Sequence, residues 1–569
     1  MAAILAASAL VYSGSLRNQF VYDDRYTIVT NHRLADWSFI WKSFGNDAFW
    51  FADWMPQVRT PIYRPILDLW FWLNFHLFGL RPAGWHAAAI ALNLVAVWLV
   101  FRVASALTSE STTALIAAGL FALMPIHAEA VVWSSAASLL LCATFELAAF
   151  YVYLFFSGPR RAMPLTLFAC ALLSHETAAV FPILIAAHAF LLRPHDTDGS
   201  YRSEIYVAVA AAWPYAAEVA GYFAIRFLVL GSLLRTNLDV HASVAARDIA
   251  LLIPGVLSRV AMLLVIPSMA GPSFPLHLAE DAASPEFYLP VASLAALFVL
   301  TLILLRRHPH RRLHLFCAAW IALAAMPVAS LSKTGILLAV QNRYLYFPSV
   351  GLCIMAADLM IGFSRRGGWR TLAAKATAVA AGAYFAVMLF SVQRFWRDDV
   401  ALHGHCVDNA PDSAFCRNLL ASALAERGEL RQARYQFEQA VALDPAGEWN
   451  AFHELARIDA RLGDKVAAEM AMGEWVKRLT PPTAGAYAEL ALAADAAGDA
   501  KTADTALANA AKSPGGTDAA TIARAQILFR HGDFKGAADL LNDLLRRNPR
   551  NAQALSVLQA VRLSADSRH

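Results

Sequence analysis

The stretch EFYLPVASLAALFVLTLILL, residues 286–305, has one charged side chain, at its start, and is otherwise almost wholly apolar. A helix of about 20 apolar residues is long enough to cross the hydrocarbon core of a bilayer. Ten more apolar segments occur within residues 1–391. Together the segments are 1–16, 85–107, 112–131, 134–156, 163–192, 205–230, 249–268, 286–305, 312–330, 344–363 and 371–391. The pattern predicts an all-α fold, a polytopic membrane helix bundle of about 11 spans.

The composition supports this prediction. Apolar residues make up 58% of the 569 residues and charged residues 16%, whereas soluble domains average about 45–50% and about 25%. A water-soluble fold could not bury that many apolar side chains, so many of them must face lipid. The net charge of +4 is small and forms no basic stripe, which argues against a nucleic-acid-binding protein.

Short basic loops predict the orientation, because Lys and Arg are retained on the cytoplasmic side of a membrane. Three such loops, at 159–161, 306–312 and 365–370, all lie inside if the chain has eleven spans and a cytoplasmic N-terminus. The first segment lacks an A-x-A cleavage pattern and is interpreted as an anchor. We therefore expect an integral, multi-pass membrane protein. Loop 17–62 and everything after about residue 391 are extracytoplasmic, or periplasmic if the source is bacterial.

Segment 62–80 is the exception to this counting. It contains LDLWFWLNFHLFGL, which is rich in aromatic residues but carries Asp68, Asn74 and His76. If it crossed the membrane, the basic loops would change sides. It is therefore predicted to be a helix lying in the membrane interface, with its Trp and Phe side chains at the level of the lipid headgroups.

The tail of the chain has an internal period. Gly428, Gly463, Gly498 and Gly532 recur at spacings of 35, 35 and 34 residues, with small and apolar residues in register around them. This is the pattern of tetratricopeptide helix pairs, and four units are enough to share a core and form a curved groove. The predicted domains are a transmembrane domain at 1–391, with an outer loop and interfacial helix at 17–80, a linker at 392–410 and a tetratricopeptide α-solenoid at 411–569.

Cysteines are few, and no CxxC motif or Cys/His cluster indicates a metal. Cys406 and Cys416 lie in the segment that joins the membrane part to the tail. An oxidising compartment on that side would favour a disulfide between them.

Ionisable residues are costly at membrane depth and are by default candidates for function. Asp23 and Asp24 follow the first span in the stretch FVYDDR, residues 20–25. Adjacent carboxylates beside aromatic residues can share a proton, which raises one pKa, as a general base requires. The alternative is a solvated loop in which one of the two residues caps the next helix.

Further candidates are expected near the same face of the membrane. Arg64 and Arg343 could each bind a phosphate or pyrophosphate through two N–H groups, which Lys cannot do. A single buried histidine is more often a packing residue, and an Arg among tyrosines is more often an interfacial anchor. Together, however, these cations and carboxylates suit an enzyme that acts on a lipid phosphate. The other members of the set are Tyr63, His86, His127, Glu129, His175, Glu176 and Tyr344.

The motifs FVYDD, YRP, WH, PIHAEAVVW, LLSHETA and RYLYFPSVG occur in that order, and four tetratricopeptide units follow. With its motifs in this order, the chain resembles the family of transmembrane and tetratricopeptide-repeat O-mannosyltransferases and its bacterial relatives. These proteins are membrane glycosyltransferases of the GT-C type. The similarity covers nearly the whole chain, and it is carried by the order of the motifs together with the repeat tail.

The resemblance implies a transferase that passes a sugar from a polyprenyl-phosphate donor to an acceptor, expected to be a protein hydroxyl, outside the cytoplasm. Transfer would invert the sugar and use no nucleotide. The resemblance assigns Asp23 or Asp24 as the base that deprotonates the acceptor, and Arg64, Arg343 and His175 to the lipid phosphate. The resemblance also places six residues near the active site, in roles that are less defined: Tyr63, His86, His127, Glu129, Glu176 and Tyr344.

Two departures from the family pattern stand out. After Trp133, relatives have Gly-Arg and an acidic residue, whereas this chain has SSAAS, and where they have Ser-Lys-Glu it has Ser174-His175-Glu176. Two cations are lost, one of them to an imidazole that can be neutral at pH 7. The donor sugar or the rate could differ, so mannose is not assigned. The sequence makes no cofactor certain; a divalent metal at Asp24 or Glu129 is an open alternative that nothing in the spacing demands.

Two other functions stay open. A non-catalytic scaffold would use the repeats to recruit extracytoplasmic proteins and the bundle as an anchor, and the lost cations favour it. A lipid or polysaccharide transporter is less favoured, because the charged residues gather at one face instead of lining a path through the midplane. In an enzyme or a scaffold, the repeat groove is expected to bind an acceptor protein, a peptide or a partner.

Overall fold

The computed structural model describes residues 1–51, 62–155, 162–193, 201–231, 246–266, 279–306, 308–326, 341–448 and 450–566. Regular structure in these ranges is helical, and they contain no strand, which confirms the predicted all-α class. The chain divides into two compact units, Met1–His405 and Cys406–His569. The predicted basic loop 159–161 and Arg307 lie outside the described residues.

Helices occupy the apolar segments of the first unit. Each of the eleven segments predicted as a span contains one or two of them. They are α1 (Ala2–Tyr12), α2 (Ser38–Ser43), α3 (Pro65–Phe78), α4 (Pro82–Thr108), α5 (Ser111–Leu123), α6 (Ala128–Val132), α7 (Ala137–Phe155), α8 (Ala162–Ser174), α9 (Phe181–Leu192), α10 (Tyr201–Leu230), α11 (Ala246–Val265), α12 (Pro285–Leu305), α13 (Arg311–Ala325), α14 (Pro348–Ser364), α15 (Trp369–Val392) and α16 (Asp399–Asn409).

Several of these helices suit a bilayer. Within the described ranges, four helical stretches are long and apolar enough to cross one: Pro82–Thr108, Ser134–Phe155, Pro285–Ile303 and Trp369–Trp396. A fifth candidate is the pair Ser111–Leu123 and Pro125–Val132, which is bent by 52°. The chain is therefore a membrane protein. The number of spans and their orientation stay predictions.

Two predicted spans are broken, and candidate site residues lie at both breaks. Pro125 disfavours helical backbone at Met124, which is extended at φ −68° and ψ 121°. Segment 163–192 splits into α8 and α9 at His175, whose backbone is extended and whose Nδ1 accepts the N–H of Thr177 at 3.2 Å. That hydrogen bond caps the helical turn that follows. Glu129 follows the first break and Glu176 the second.

Helix α3 corresponds to the predicted interfacial segment. Its 14 residues span about 21 Å at 1.5 Å per residue, short of the roughly 30 Å of a hydrocarbon core. Leu67, Phe71 and Trp72 are buried in an aromatic cluster, while Leu73 and Leu77 are exposed. The length and the exposed apolar side chains agree with a helix at the interface, and that placement remains a prediction.

The second unit consists of helical hairpins and a closing helix. The first helix of each hairpin ends just before one of the four periodic glycines. These glycines have φ between +84° and +89°, a conformation that costs an L-residue free energy but not glycine. The helices are α17 (Ala414–Arg427), α18 (Leu430–Leu443), α19 (Asn450–Leu462), α20 (Lys465–Arg478), α21 (Ala484–Ala497), α22 (Ala500–Lys512), α23 (Thr517–Arg530), α24 (Phe534–Arg547) and α25 (Ala552–Asp566).

Capping and small side chains explain why these hairpins form. Asp464, Asp499 and Asp533 each accept a backbone N–H at the start of the second helix of a pair. Buried alanines at the hairpin contacts, such as Ala491 and Ala503, allow the two helices to approach closely. At the start of the unit, Cys406 and Cys416 form a disulfide with a Cα–Cα distance of 5.5 Å.

Candidate active site

Asp24 is fully buried and its two carboxylate oxygens are hydrogen-bonded. Oδ1 accepts the backbone N–H of Ser135 at 2.7 Å and its hydroxyl at 2.5 Å, and Oδ2 accepts the N–H of Val21 at 3.2 Å. Burial raises the pKa of Asp24 to about 7, although these hydrogen bonds lower it. Asp24 thus fastens the loop that follows α1 to the segment just before α7, where Ser135 lies in the stretch SSAAS that follows Trp133.

Asp23 has different surroundings. Its side chain is half-buried and forms no hydrogen bond within the part of the chain that the structure describes. Burial raises the pKa of Asp23 to about 6, and the positive charge of Arg343 lowers it. A carboxylate without hydrogen-bond donors, with a pKa near neutral, can accept a proton at pH 7. Of the two adjacent acids, Asp23 therefore has the properties of a base and Asp24 those of an anchor.

The backbone at Asp23 is held by a residue that the sequence analysis missed. Asp399, at the start of α16, accepts the N–H of Tyr22 at 2.7 Å and the Nε–H of Arg25 at 2.9 Å. Tyr22 has φ +54°, which is rare for a residue with a side chain and marks local strain. Asp399 lies in the predicted linker, more than 370 residues away in sequence, and no motif there pointed to it.

Arg343 lies at the centre of the site. Its Nη1 forms an ion pair with Oε1 of Glu129, and its backbone N–H donates to Oε2 of the same carboxylate at 3.2 Å. The guanidinium lies 4.9 Å from the ring centroid of Trp133 and 5.4 Å from that of Tyr344. These contacts fix its plane. Its Nε and Nη2 groups have no hydrogen bond among the described residues.

Arg64 forms the second ion pair. Its Nε and Nη2 groups donate to the two carboxylate oxygens of Glu176, each at 2.9 Å, which is a bidentate arrangement. The neighbouring Tyr63 donates its hydroxyl to the carbonyl of Phe44 at 2.9 Å, and its own carbonyl accepts the hydroxyl of Tyr222 at 3.1 Å. Each predicted phosphate-binding arginine is therefore paired with a glutamate in this structure.

His175 and Tyr344 connect the two ion pairs. The His175 ring lies edge-on to Tyr344 at a centroid distance of 5.8 Å, and its Nδ1 is 3.8 Å from the Glu176 carboxylate. Nδ1 accepts the N–H of Thr177, so a neutral ring carries its proton on Nε2. Contacts thus run from Arg343 through Tyr344 and His175 to the pair of Glu176 and Arg64, and Asp23 lies within electrostatic reach of Arg343.

A small cavity of about 20 Å³ opens beside this chain of contacts. Arg343, Tyr344, Thr177 and Glu146 are among the side chains that line it. Glu146, in α7, is buried; its Oε2 accepts a weak hydrogen bond from Cys142 at 3.5 Å, and its Oε1 has no partner in the described ranges. Sequence analysis overlooked Glu146, although an acid inside an apolar segment is itself a signal of function.

Two predicted site residues lie elsewhere. His127 is buried between Phe121 and Tyr346, and its Nε2 is 2.8 Å from the hydroxyl of Ser349. It is a packing residue, which was the alternative considered for a lone histidine. His86 is buried near the start of α4, close to the backbone of the loop around Asn18, and neither of its ring nitrogens has a hydrogen-bond partner among the described residues.

The two carboxylates considered as metal ligands are otherwise engaged. Asp24 accepts three hydrogen bonds and Glu129 is bound to Arg343. A metal ion at either carboxylate would have to replace these contacts, and its presence remains a prediction.

Comparisons with characterised sequences agree with the motifs. No family model matches the chain. It is 26% identical to protein O-mannosyl-transferase Tmtc3 of Drosophila melanogaster over 509 residues, which cover 77% of this chain and 54% of that protein. A relative in Caenorhabditis elegans, protein O-mannosyl-transferase F38B6.6, is 22% identical over 453 residues, which cover 78% of this chain and 63% of the relative.

A shorter region is more similar. Over 131 residues, 23% of this chain, the sequence is 35% identical to protein O-mannosyl-transferase Tmtc1 of Drosophila melanogaster, of which the match covers 15%. The chain spans about half of the length of Tmtc3. These similarities confirm the resemblance to the transmembrane and tetratricopeptide-repeat O-mannosyltransferases that the order of the motifs predicts.

Proposed function

We propose that this chain is a membrane glycosyltransferase that transfers a sugar from a polyprenyl-phosphate donor to a hydroxyl group of a protein, at the extracytoplasmic face of the membrane. The printed names of its relatives support a sugar transferase that acts on protein. The observation that carries the proposal is the contrast between the two adjacent acids. Asp24 accepts three hydrogen bonds, while Asp23 lies within electrostatic reach of Arg343 and has no hydrogen bond to its side chain among the described residues.

The reaction requires a base on one side of the sugar and positive charge on the other. Asp23 takes the proton of the acceptor hydroxyl, whose oxygen forms a bond to the anomeric carbon. The bond from that carbon to the phosphate oxygen breaks, and its electron pair stays on the phosphate. A single displacement of this kind inverts the sugar. The leaving group is already a phosphate, so it needs charge neutralisation and no general acid.

Arg343 is the cation best placed for that neutralisation. It lies within electrostatic reach of Asp23, its plane is fixed by Trp133 and Tyr344, and it has N–H groups not used by Glu129. Arg64 is bound bidentately to Glu176, so it would bind the lipid phosphate through its remaining N–H groups or by exchanging partners. His175 lies beside Tyr344, and its neutral ring carries its proton on Nε2. We propose that the three line the path of the lipid phosphate.

The proposal is tested with the full chain purified and reconstituted in liposomes. Sugar release is measured from radiolabelled polyprenyl-phosphate mannose, the first donor to try given the names of the relatives, with a Ser/Thr-rich protein extract as acceptor. GDP-mannose serves as the control donor. We expect labelled protein with the lipid donor only. Equal use of the nucleotide donor, or no release from any polyprenyl-phosphate sugar by folded protein, would contradict the proposal.

A non-catalytic scaffold is the second candidate, and one observation favours it. Both arginines are already neutralised by glutamates, as in a purely structural network. In a scaffold the helical hairpins of the second unit would recruit partners while the first unit anchors them. The cellular phenotype separates the candidates: an Asp23→Asn variant of normal abundance would keep full function if the protein is a scaffold and lose it if the protein is an enzyme.

A further inference from the structure

Three histidines and an aspartate meet at the end of α14 remote from Arg343. His308 and His310 lie between α12 and α13, His314 is in the first turn of α13, and Asp358 is in α14. Nε2 of His314 is 2.8 Å from Oδ2 of Asp358, and Nδ1 of His310 is 3.0 Å from Oδ1. The rings of His308 and His314 are 4.2 Å apart. The sequence analysis treated His308 and His310 only as part of the basic loop 306–312 and did not consider His314 or Asp358.

A hydrogen-bonded network explains part of this cluster. Asp358 is buried and can accept an N–H from His310 and another from His314, which would offset the cost of a carboxylate in an apolar helix. His308 is held locally, because its Nδ1 accepts the N–H of His310 at 3.2 Å. Its Nε2 packs over Gly362, 3.6 Å from the position of an added Cβ, one turn beyond Asp358 on the same helix. Neither this contact nor the network explains His314 Nδ1, which is buried and has no partner among the described residues.

We propose that His308, His314 and Asp358 bind a divalent transition-metal ion, with Zn²⁺ as the preferred ion. One ligand atom from each of the three residues lies within 4.8 Å of the others. Ligand atoms around tetrahedral zinc are roughly 3.3 Å apart, because each bond to the metal is about 2.0–2.1 Å long. The separations between the three ligand atoms therefore have to shrink by about 1.5 Å or less for all three to bind one ion. Two imidazoles and a carboxylate are ligands that zinc accepts, and a water completes four coordination.

One feature of the surroundings suits such an ion. His310 contacts both oxygens of Asp358, at 3.0 and 3.1 Å. A residue that does not itself bind the metal often orients a metal-binding carboxylate in this way. The positive charge of Arg366 nearby opposes a dication, while the Asp358 carboxylate favours it. The ion would join α13 to α14, and it is independent of the proposed transferase chemistry.

Zinc binding to the full-length chain tests the proposal. The protein is purified in detergent with a tag that contains no histidine, stripped with a chelator and titrated with Zn²⁺, with bound metal measured by mass spectrometry. Co²⁺ provides a second probe, because tetrahedral Co²⁺ absorbs in the visible range. We expect one equivalent of tightly bound zinc and an affinity at least about tenfold lower in His308→Ala and Asp358→Asn. His531→Ala, which removes an exposed histidine of the second unit, should bind zinc as the wild type does.

Thermal unfolding separates the metal site from the hydrogen-bonded network. If zinc binds the folded chain at this site, it raises the melting temperature of the wild type and of His531→Ala but not of His308→Ala. If the cluster is only a network, zinc changes none of these melting temperatures, and the wild type binds no more zinc than His308→Ala. That result overturns the proposal. His308 is half-buried, so its variant should fold even if substitution of the buried His314 does not.

Discussion

The hydroxyl and the backbone N–H of Ser135 donate to the same carboxylate oxygen of Asp24, at 2.5 and 2.7 Å. These two hydrogen bonds join the loop that follows α1 to the segment just before α7, across 111 residues of sequence. They also give the two adjacent acids different roles, since an anchored Asp24 leaves Asp23 as the acid within electrostatic reach of Arg343. The proposed enzyme activity depends on that difference.

Ser135→Ala tests the anchoring role of Asp24. Loss of the hydroxyl removes a charge-assisted hydrogen bond from a buried carboxylate, which should destabilise the first unit by about 1–3 kcal/mol. The measurement is the thermal unfolding of detergent-solubilised protein. Ser284→Ala, which removes an exposed hydroxyl bonded to Asp281, should change the melting temperature little. Equal melting temperatures for Ser135→Ala and the wild type would show that Asp24 is not held in this way.

Asp399→Asn tests whether the strained turn positions the base. Its carboxylate binds the N–H of Tyr22 and the guanidinium of Arg25, so the amide should keep the first contact and weaken the second. We expect kcat for sugar transfer to fall by about tenfold, with KM for the lipid donor nearly unchanged, because the base is displaced and the phosphate site is not. Asp36→Asn, an exposed cap in the same loop, is the control. A change confined to KM would argue against a positioning role.

The pH dependence follows from the pKa of Asp23, which burial raises to about 6. A general base works only when it is unprotonated, so kcat/KM should be level above about pH 7 and fall about tenfold per pH unit well below pH 6. The adjacent Asp24, with a pKa of about 7, titrates nearby, and the profile reports the pair. Rates measured from pH 4.5 to 8.5 give the curve. Constant activity down to pH 4.5 would exclude a base of this pKa.

Arg343→Lys tests the need for a planar cation. A lysine keeps the charge but cannot bind Glu129 and a phosphate at the same time through a fixed set of N–H groups. We expect kcat/KM for the lipid donor to fall by at least about tenfold in the reconstituted assay. Arg365→Lys is the matched control, because Arg365 forms a partly exposed ion pair with Glu110 at 3.1 Å. If both variants keep wild-type rates, Arg343 does not bind the donor phosphate.

The sequence predicts much of the fold for simple physical reasons. Apolar runs mark the helices because lipid leaves the backbone no other partner, and the glycine period marks the hairpins because each glycine has positive φ. The breaks at Met124 and His175 were not predicted. At the second break the signal was weak, since a histidine side chain caps the next turn and no proline marks it.

The site could be predicted only in outline. Most of the charged residues chosen from motifs lie in one connected group, because motifs reflect residue types that chemistry requires. Which acid is free and which is anchored depends on contacts over long separations, such as Asp24 with Ser135 and Tyr22 with Asp399. The pairing of Arg64 with Glu176 was hidden for the same reason, since nothing local in sequence relates two residues 112 positions apart.

The most direct test of the central claim is the single-turnover rate of sugar transfer from the lipid donor by Asp23→Asn, compared with the wild type. The variant keeps the size of the side chain and removes its ability to accept a proton. We predict a rate about 10²–10⁴-fold lower at an unchanged melting temperature. A rate within about twofold of the wild type would contradict the assignment of Asp23 as the base.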